Sequence, residues 1–153
     1  MACLLYASDT PLDVLERHLT QPQREDGGVA GAVRQAAART RDMLPTVVQV
    51  AEFLHPQLDL GGLAERTAIR LELGIPADLV ELGELLGGEL SRAQYLVLLH
   101  AGLGDPASID QGTPEDLLAC LGDKDRVALV LERVGQRPEA GTVTAPLLPP
   151  PAE

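Results

Sequence analysis

From Leu63 to Gly122 the chain reads LAERTAIRLELGIPADLVELGELLGGELSRAQYLVLLHAGLGDPASIDQGTPEDLLACLG, short leucine-rich runs cut at close intervals by glycine and proline. Glycine reaches the left-handed conformation that ends a helix, and proline starts a helix but cannot continue one. The pattern therefore predicts a train of short helices joined by tight turns. No stretch shows the strict alternation of a half-buried strand, so the expected fold class is all-α, a small multi-helix domain.

Within this train, Asp59 is the expected N-cap of a first helix, with Leu60, Leu63, Ala64, Thr67, Ala68 and Leu71 as its buried stripe and Gly74 as its left-handed cap. Ile75-Pro76 restarts the chain into a helix carrying Leu79, Leu82 and Leu85. After Gly87-Gly88, Ser91 caps a helix whose run from Tyr95 to Leu99 is apolar on every side, which predicts a central position and one core holding Leu79, Leu82, Leu96 and Leu99. Gly102 closes it, and a connector follows. Thr113-Pro114-Glu115-Asp116 opens a further helix with its acids in the first turn, where the helix dipole favours them. Asp123 caps the last, with Val127, Val130, Leu131 and Val134 as its apolar face.

Upstream, Thr10-Pro11 marks a helix start running to about Leu19, and Thr20 to Gly28 is a polar loop. Val29 to Met43 has helical spacing around an alanine run, and Pro45 is expected to kink or break the element. A second length from Thr46 to Leu54 then places Val47, Val50, Ala51 and Leu54 on one face. These signals divide the chain into a helical block at 1–58, a second at 59–135 and a proline-rich tail at 136–153 whose composition suits disorder.

Charge and composition narrow the function. The chain has 153 residues, 12 basic against 23 acidic, for a net charge of -11, and 45% hydrophobic residues with one Phe, two Tyr and no Trp. Leu, Val and Ala must build the core. An acidic whole repels polyanions, and a nucleic-acid contact would need a local basic patch. No apolar run approaches the roughly 18 residues of a membrane span, and MACLLYASDT lacks the basic start of a signal peptide, so the expected location is cytoplasmic, with no membrane contact. The only lysine is Lys124, which leaves no phosphate-binding loop of the usual nucleotide-hydrolysing design. His18, His55 and His100 lie in separate elements, the two cysteines are far apart, and no metal or nucleophile spacing occurs. The expectation is a protein that is not an enzyme and has no metal site and no cofactor.

The order of helix, G-I-P, leucine-rich helix, glycine turn, helix ending Ala101-Gly102 and capped T-P-E-D-L helix resembles the C-terminal helix-hairpin-helix region of archaeal Hjm-type superfamily 2 DNA helicases. Leu4 to Leu19, LLYASDTPLDVLERHL, and Arg39 to Leu44, RTRDML, resemble the preceding segments of that family, including its ratchet helix. The resemblance implies an accessory domain with the motor absent, one that docks onto a helicase motor or grips single-stranded DNA. It departs at the hairpin, where Glu89-Leu90-Ser91 stands at the family's G-x-G, and at Met43, which stands at a tryptophan. The unit is therefore a degenerate helix-hairpin-helix, with a negative side chain where glycine would let a phosphate approach backbone amides.

On this reading the nucleic-acid-binding residues are Arg34, Arg39 and Arg41 on the ratchet-like helix, Arg66 and Arg70 one turn apart on the next, and Leu90, Ser91 and Arg92 at the hairpin. Arg34 and Arg41 are seven residues apart and so share a helix face, with small alanines between them. Surface arginines also pair with carboxylates, and the acidic balance equally fits a helical protein-interaction adaptor that never meets nucleic acid.

Overall fold

The computed structural model describes residues 2–11, 14–15 and 29–136. Among them are eight α-helices and no strand, in an all-α arrangement: α1 (Ala2–Tyr6), α2 (Val29–Leu54), α3 (Gly61–Leu73), α4 (Val80–Leu86), α5 (Arg92–His100), α6 (Pro106–Gln111), α7 (Pro114–Leu121) and α8 (Lys124–Gly135). Single 3-10 turns at Ala77–Leu79 and Gly87–Glu89 flank α4. The expected helix to Leu19, the loop after it and the tail from 137 lie wholly or mostly outside the described residues.

Local chemistry sets most of the boundaries. Ser91, Asp105 and Thr113 each open a helix with a reciprocal capping box, to Gln94, Ser108 and Asp116 respectively. Asp123 accepts from the Asp125 amide at 2.9 Å and opens α8. Gly74 and Gly122 close α3 and α7 at φ of 69° and 68°. At Gly74 a side chain would also meet the Tyr6 ring at 2.5 Å, so glycine is required there for close approach as well as for its dihedral.

Three expectations are corrected. Of the kink or break expected at Pro45 the break does not occur: α2 runs on through it as one helix, a proline removing a single helix hydrogen bond. Asp59 is not the N-cap of α3; that position belongs to Leu60, whose amide donates to Glu52 Oε1 at 3.1 Å, while Asp59 Oδ1 accepts from Gly61. Leu63, expected in the buried stripe of α3, is 64% exposed, and only Leu71 of that stripe is fully buried. The connector after Gly102 also contains a helix, α6, signalled by the D-P-A-S sequence at Asp105 to Ser108.

Two apolar clusters hold the molecule. The larger joins Ile75, Leu79, Leu82, Leu86, Tyr95, Leu98, Leu117 and Val130 across α4, α5, α7 and α8, with Leu96 buried in it and Leu99 packed against it. Each fully buried leucine adds about 1.5–3 kcal/mol to the driving force for collapse. Val97 of α5 is 43% exposed, so that helix is central without being covered all round. The smaller cluster joins Tyr6, Leu15, Val33 and Ala37 to Leu71 of α3, with Leu44 against it. Leu71 thus ties α3 to the amino-terminal elements. No helix of the described residues is long and apolar enough to cross a membrane.

Candidate functional site

Five of the eight residues expected to contact nucleic acid line one open cleft of about 330 Å3. Arg34 and Arg41 enter it from α2, and Leu90, Ser91 and Arg92 from the start of α5; Tyr6, Leu71 and Glu72 complete its wall. The helix spacing of Arg34 and Arg41 and the tight turn before Ser91 bring these residues together.

Their donors are largely engaged within the protein. Arg92 Nε donates to the Gly74 carbonyl at 2.6 Å, and its Nη2 reaches the carbonyls of Thr10 at 2.7 Å, Ser8 at 3.0 Å and Tyr6 at 3.3 Å. The guanidinium also lies 5.6 Å from the centre of the Tyr6 ring. Burial lowers its pKa below the ordinary arginine range, the neighbouring charge of Arg34 adds to this, and Tyr6 and Asp9 oppose it. Arg92 therefore fastens the amino-terminal segment to the turn after α3. The Ser91 amide, expected to face a phosphate, donates to Gln94 Oε1 at 2.9 Å, and Leu90 is buried. Arg41 contacts Asp42 at 3.2 Å and Glu72 at 3.6 Å. Arg34 is exposed at the cleft mouth and makes no ion pair with another described residue.

The other three lie elsewhere. Arg39 is exposed on a different face of α2, and Arg66 is exposed on α3. Arg70, one turn from Arg66, turns inward, and its Nη2 donates to the Ala7 carbonyl at 2.9 Å while its buried Nε has no partner. The 3-10 turn bearing Glu89 is closed by the protein's own donors: Tyr95 Oη to the Gly87 carbonyl at 2.8 Å, and Arg126 Nη1 to the Glu89 carbonyl at 2.9 Å. Burial, with the charge of Glu89, raises the Tyr95 pKa and keeps this hydroxyl a donor. Among the described residues no group of three or more His, Cys, Asp or Glu is placed to hold a metal ion.

A second surface was not identified as a site from the sequence. Met43, Val47, Val50 and Leu54, at spacings of four, three and four, form a single stripe along the second half of α2, and Phe53 flanks it. Met43 is 63% exposed and Phe53 84%, and the other three are also open to solvent. A lone domain exposes apolar surface in one piece up to roughly 300–600 Å2, and the largest such patch is often functional. The signal was available, since Val47, Val50 and Leu54 plainly share a face. What it lacked was any local clue that no other element covers that face.

Comparison with protein-family models, with curated proteins and with solved structures finds no match to this chain.

Proposed function

We propose that the chain is a non-catalytic helical docking module that engages another protein through the second half of α2. The observation that carries this reading is the stripe of Met43, Val47, Val50 and Leu54, whose spacing is that of a helix-packing seam and which is left facing solvent. Covering such a face on association supplies the apolar core of an interface. The helicase resemblance adds a class of partner, a superfamily 2 motor to which this accessory module binds. Mixing the chain with a superfamily 2 motor core from the same source should give a complex by sedimentation, weakened by the Val47→Ser/Val50→Ser double substitution. No complex, or one indifferent to those substitutions, refutes this reading.

A second reading is favoured by one specific observation, the gathering of Arg34, Arg41 and Arg92 around one cleft. In this reading single-stranded DNA lays its backbone at the cleft mouth, with Arg34 as the principal contact because Arg41 and Arg92 already serve carboxylates and carbonyls. A net charge of -11 makes such binding weak and steeply salt-dependent. Fluorescence anisotropy with a labelled single strand at low salt should show binding that Arg34→Ala removes. An unchanged isotherm in that variant rules the cleft out.

A further inference from the structure

The exposed stripe of α2 reads the same in both directions. Met43, Val47, Val50 and Leu54 follow one another at intervals of four, three and four, with long flexible side chains at the two ends and valines between them. Turned end for end about a two-fold axis between Val48 and Gln49, a second α2 lays its Leu54 on Met43 and its Val50 on Val47, and the same rotation returns the other two contacts. The approach is open. Helix α3 faces α2 on the far side, at Pro45 and Val48, and α1 meets it at Thr40, where Cys3 Sγ lies 3.6 Å from the threonine hydroxyl. All four stripe side chains are more than half exposed.

Charge selects the direction. Helix α2 carries Arg34, Arg39 and Arg41 against Asp42 and Glu52, so the acidic excess behind a net charge of -11 lies off this helix. Arg39 stands four residues before Met43, hence on the face of the stripe, and it is exposed with no ion pair to another described residue. The last turn of α2 holds no basic residue, and the negative end of the helix dipole favours one there. End-for-end packing carries Arg39 about one turn past Leu54 of the second copy, to that uncompensated end. Parallel packing would instead set Arg39 beside Arg39 and Asp42 beside Asp42. Resting on the docking reading above, we infer that without its partner this stripe is covered by the same stripe of a second copy, packed antiparallel, so that self-association and docking compete for one face.

Sedimentation equilibrium of the full chain tests this without any motor. At about 0.15 M salt, where surface charges beyond roughly 8 Å are screened, four side chains a copy should give a reversible dimer with a Kd on the order of 10–100 µM. Lowering the salt to about 0.01 M should weaken it, because the acidic surfaces then repel at longer range. Val47→Ser/Val50→Ser should weaken the dimer at least about tenfold, Val47→Ala/Val50→Ala, which suits a helix better, should move it the same way, and Arg39→Ala should cost about threefold. These side chains are exposed, so circular dichroism should show an unchanged helix content. For the direction, Cys3→Ala/Cys120→Ala chains carrying either Met43→Cys or Leu54→Cys are mixed and oxidised. The disulfide should join one variant to the other and neither to itself. A chain that stays monomeric at about 1 mM, or a dimer indifferent to both valine pairs, overturns the inference and leaves the docking reading to its own mixing experiment. Met43→Cys chains linked to themselves overturn the antiparallel register. A dimer that persists unchanged while a motor binds means two separate faces, and it overturns the competition.

Discussion

From the 3-10 turn before α4 through α8 most leucines turn inward: Leu79, Leu82, Leu98 and Leu117 are sealed from solvent within one cluster. In the second half of α2 the apolar residues are as closely spaced, yet Met43, Val47, Val50, Phe53 and Leu54 all face out. The two regions share composition and periodicity and differ in what lies across from them. Short helices broken by glycine and proline fold back on one another, and each covers its neighbour's stripe. A helix of 26 residues outruns its partner, because α3 has only 13 and packs on one side. Apolar periodicity therefore marks a core in the first region and a face left open to solvent in the second.

The largest effect that separates them is on stability. Leu82→Ala should lower the free energy of unfolding by about 2–5 kcal/mol, through lost burial and a residual cavity. Val50→Ala on the exposed stripe should stay within about 0.5 kcal/mol. Urea titrations that gave the two variants similar midpoints would break the contrast.

Arg92 of α5 fastens the amino-terminal segment to the turn after α3, and its loss should come next in size. Arg92→Met forfeits bonds to the carbonyls of Gly74, Tyr6, Ser8 and Thr10, for an expected cost of about 2–3 kcal/mol. Arg92→Lys should recover little, since a single ammonium cannot reproduce the fork that spans these oxygens. Hydrogen exchange should show faster opening around Tyr6 and Ala7 while α7 and α8 keep their protection. Uniform loss of protection would mean that the clamp serves the whole core.

Two glycines with nearly the same dihedral sharpen the point. Gly74→Ala meets the Tyr6 ring and the Arg92 side chain as well as an unfavourable φ, and should cost about 1–3 kcal/mol. Gly122→Ala has the same φ penalty in open space and should cost about 1 kcal/mol. Thermal melts that ranked them the other way would contradict the packing described at Gly74.

The smallest effect is a pH dependence. Hydrogen bonds from Thr113 hold the exposed Asp116 carboxyl below its ordinary value. A folded-state value lower than the unfolded one contributes stability that is present above the unfolded pKa, about 3.9, and is lost as the pH falls through the folded value. Thr113→Val should move the Asp116 titration upward by NMR and flatten this acid limb. A titration unmoved by that change would remove the Thr113 hydroxyl as a cause and leave its backbone amide.

Elements with a local cause were legible in the letters. Ser91, Thr113 and Asp123 announce their helices because a cap is a contact between residues two or three apart, and Gly74 and Gly122 announce stops because a dihedral belongs to one residue. The arginine cleft was half legible: the seven-residue spacing of Arg34 and Arg41 put them on one face, and only the approach of α5 to α2 set Ser91 and Arg92 opposite. Arg92 itself was misleading. A guanidinium next to a glycine turn suits a phosphate as well as four carbonyls, and which it meets depends on where residues 6–10 lie.

The sequence by itself determined that this chain is all-helical, where most of its helices in 59–135 begin and end, and that its core is built of leucine and valine. These follow from short-range chemistry that every copy of the chain carries even before it folds. Tertiary structure alone decided that α2 runs on through Pro45, that Leu63 and the Met43–Leu54 stripe stay uncovered, and that Arg92 closes on backbone instead of facing outward. Each of these depends on which surface arrives opposite. That is a property of how lengths and crossings of distant elements fit together, and no local spacing encodes it.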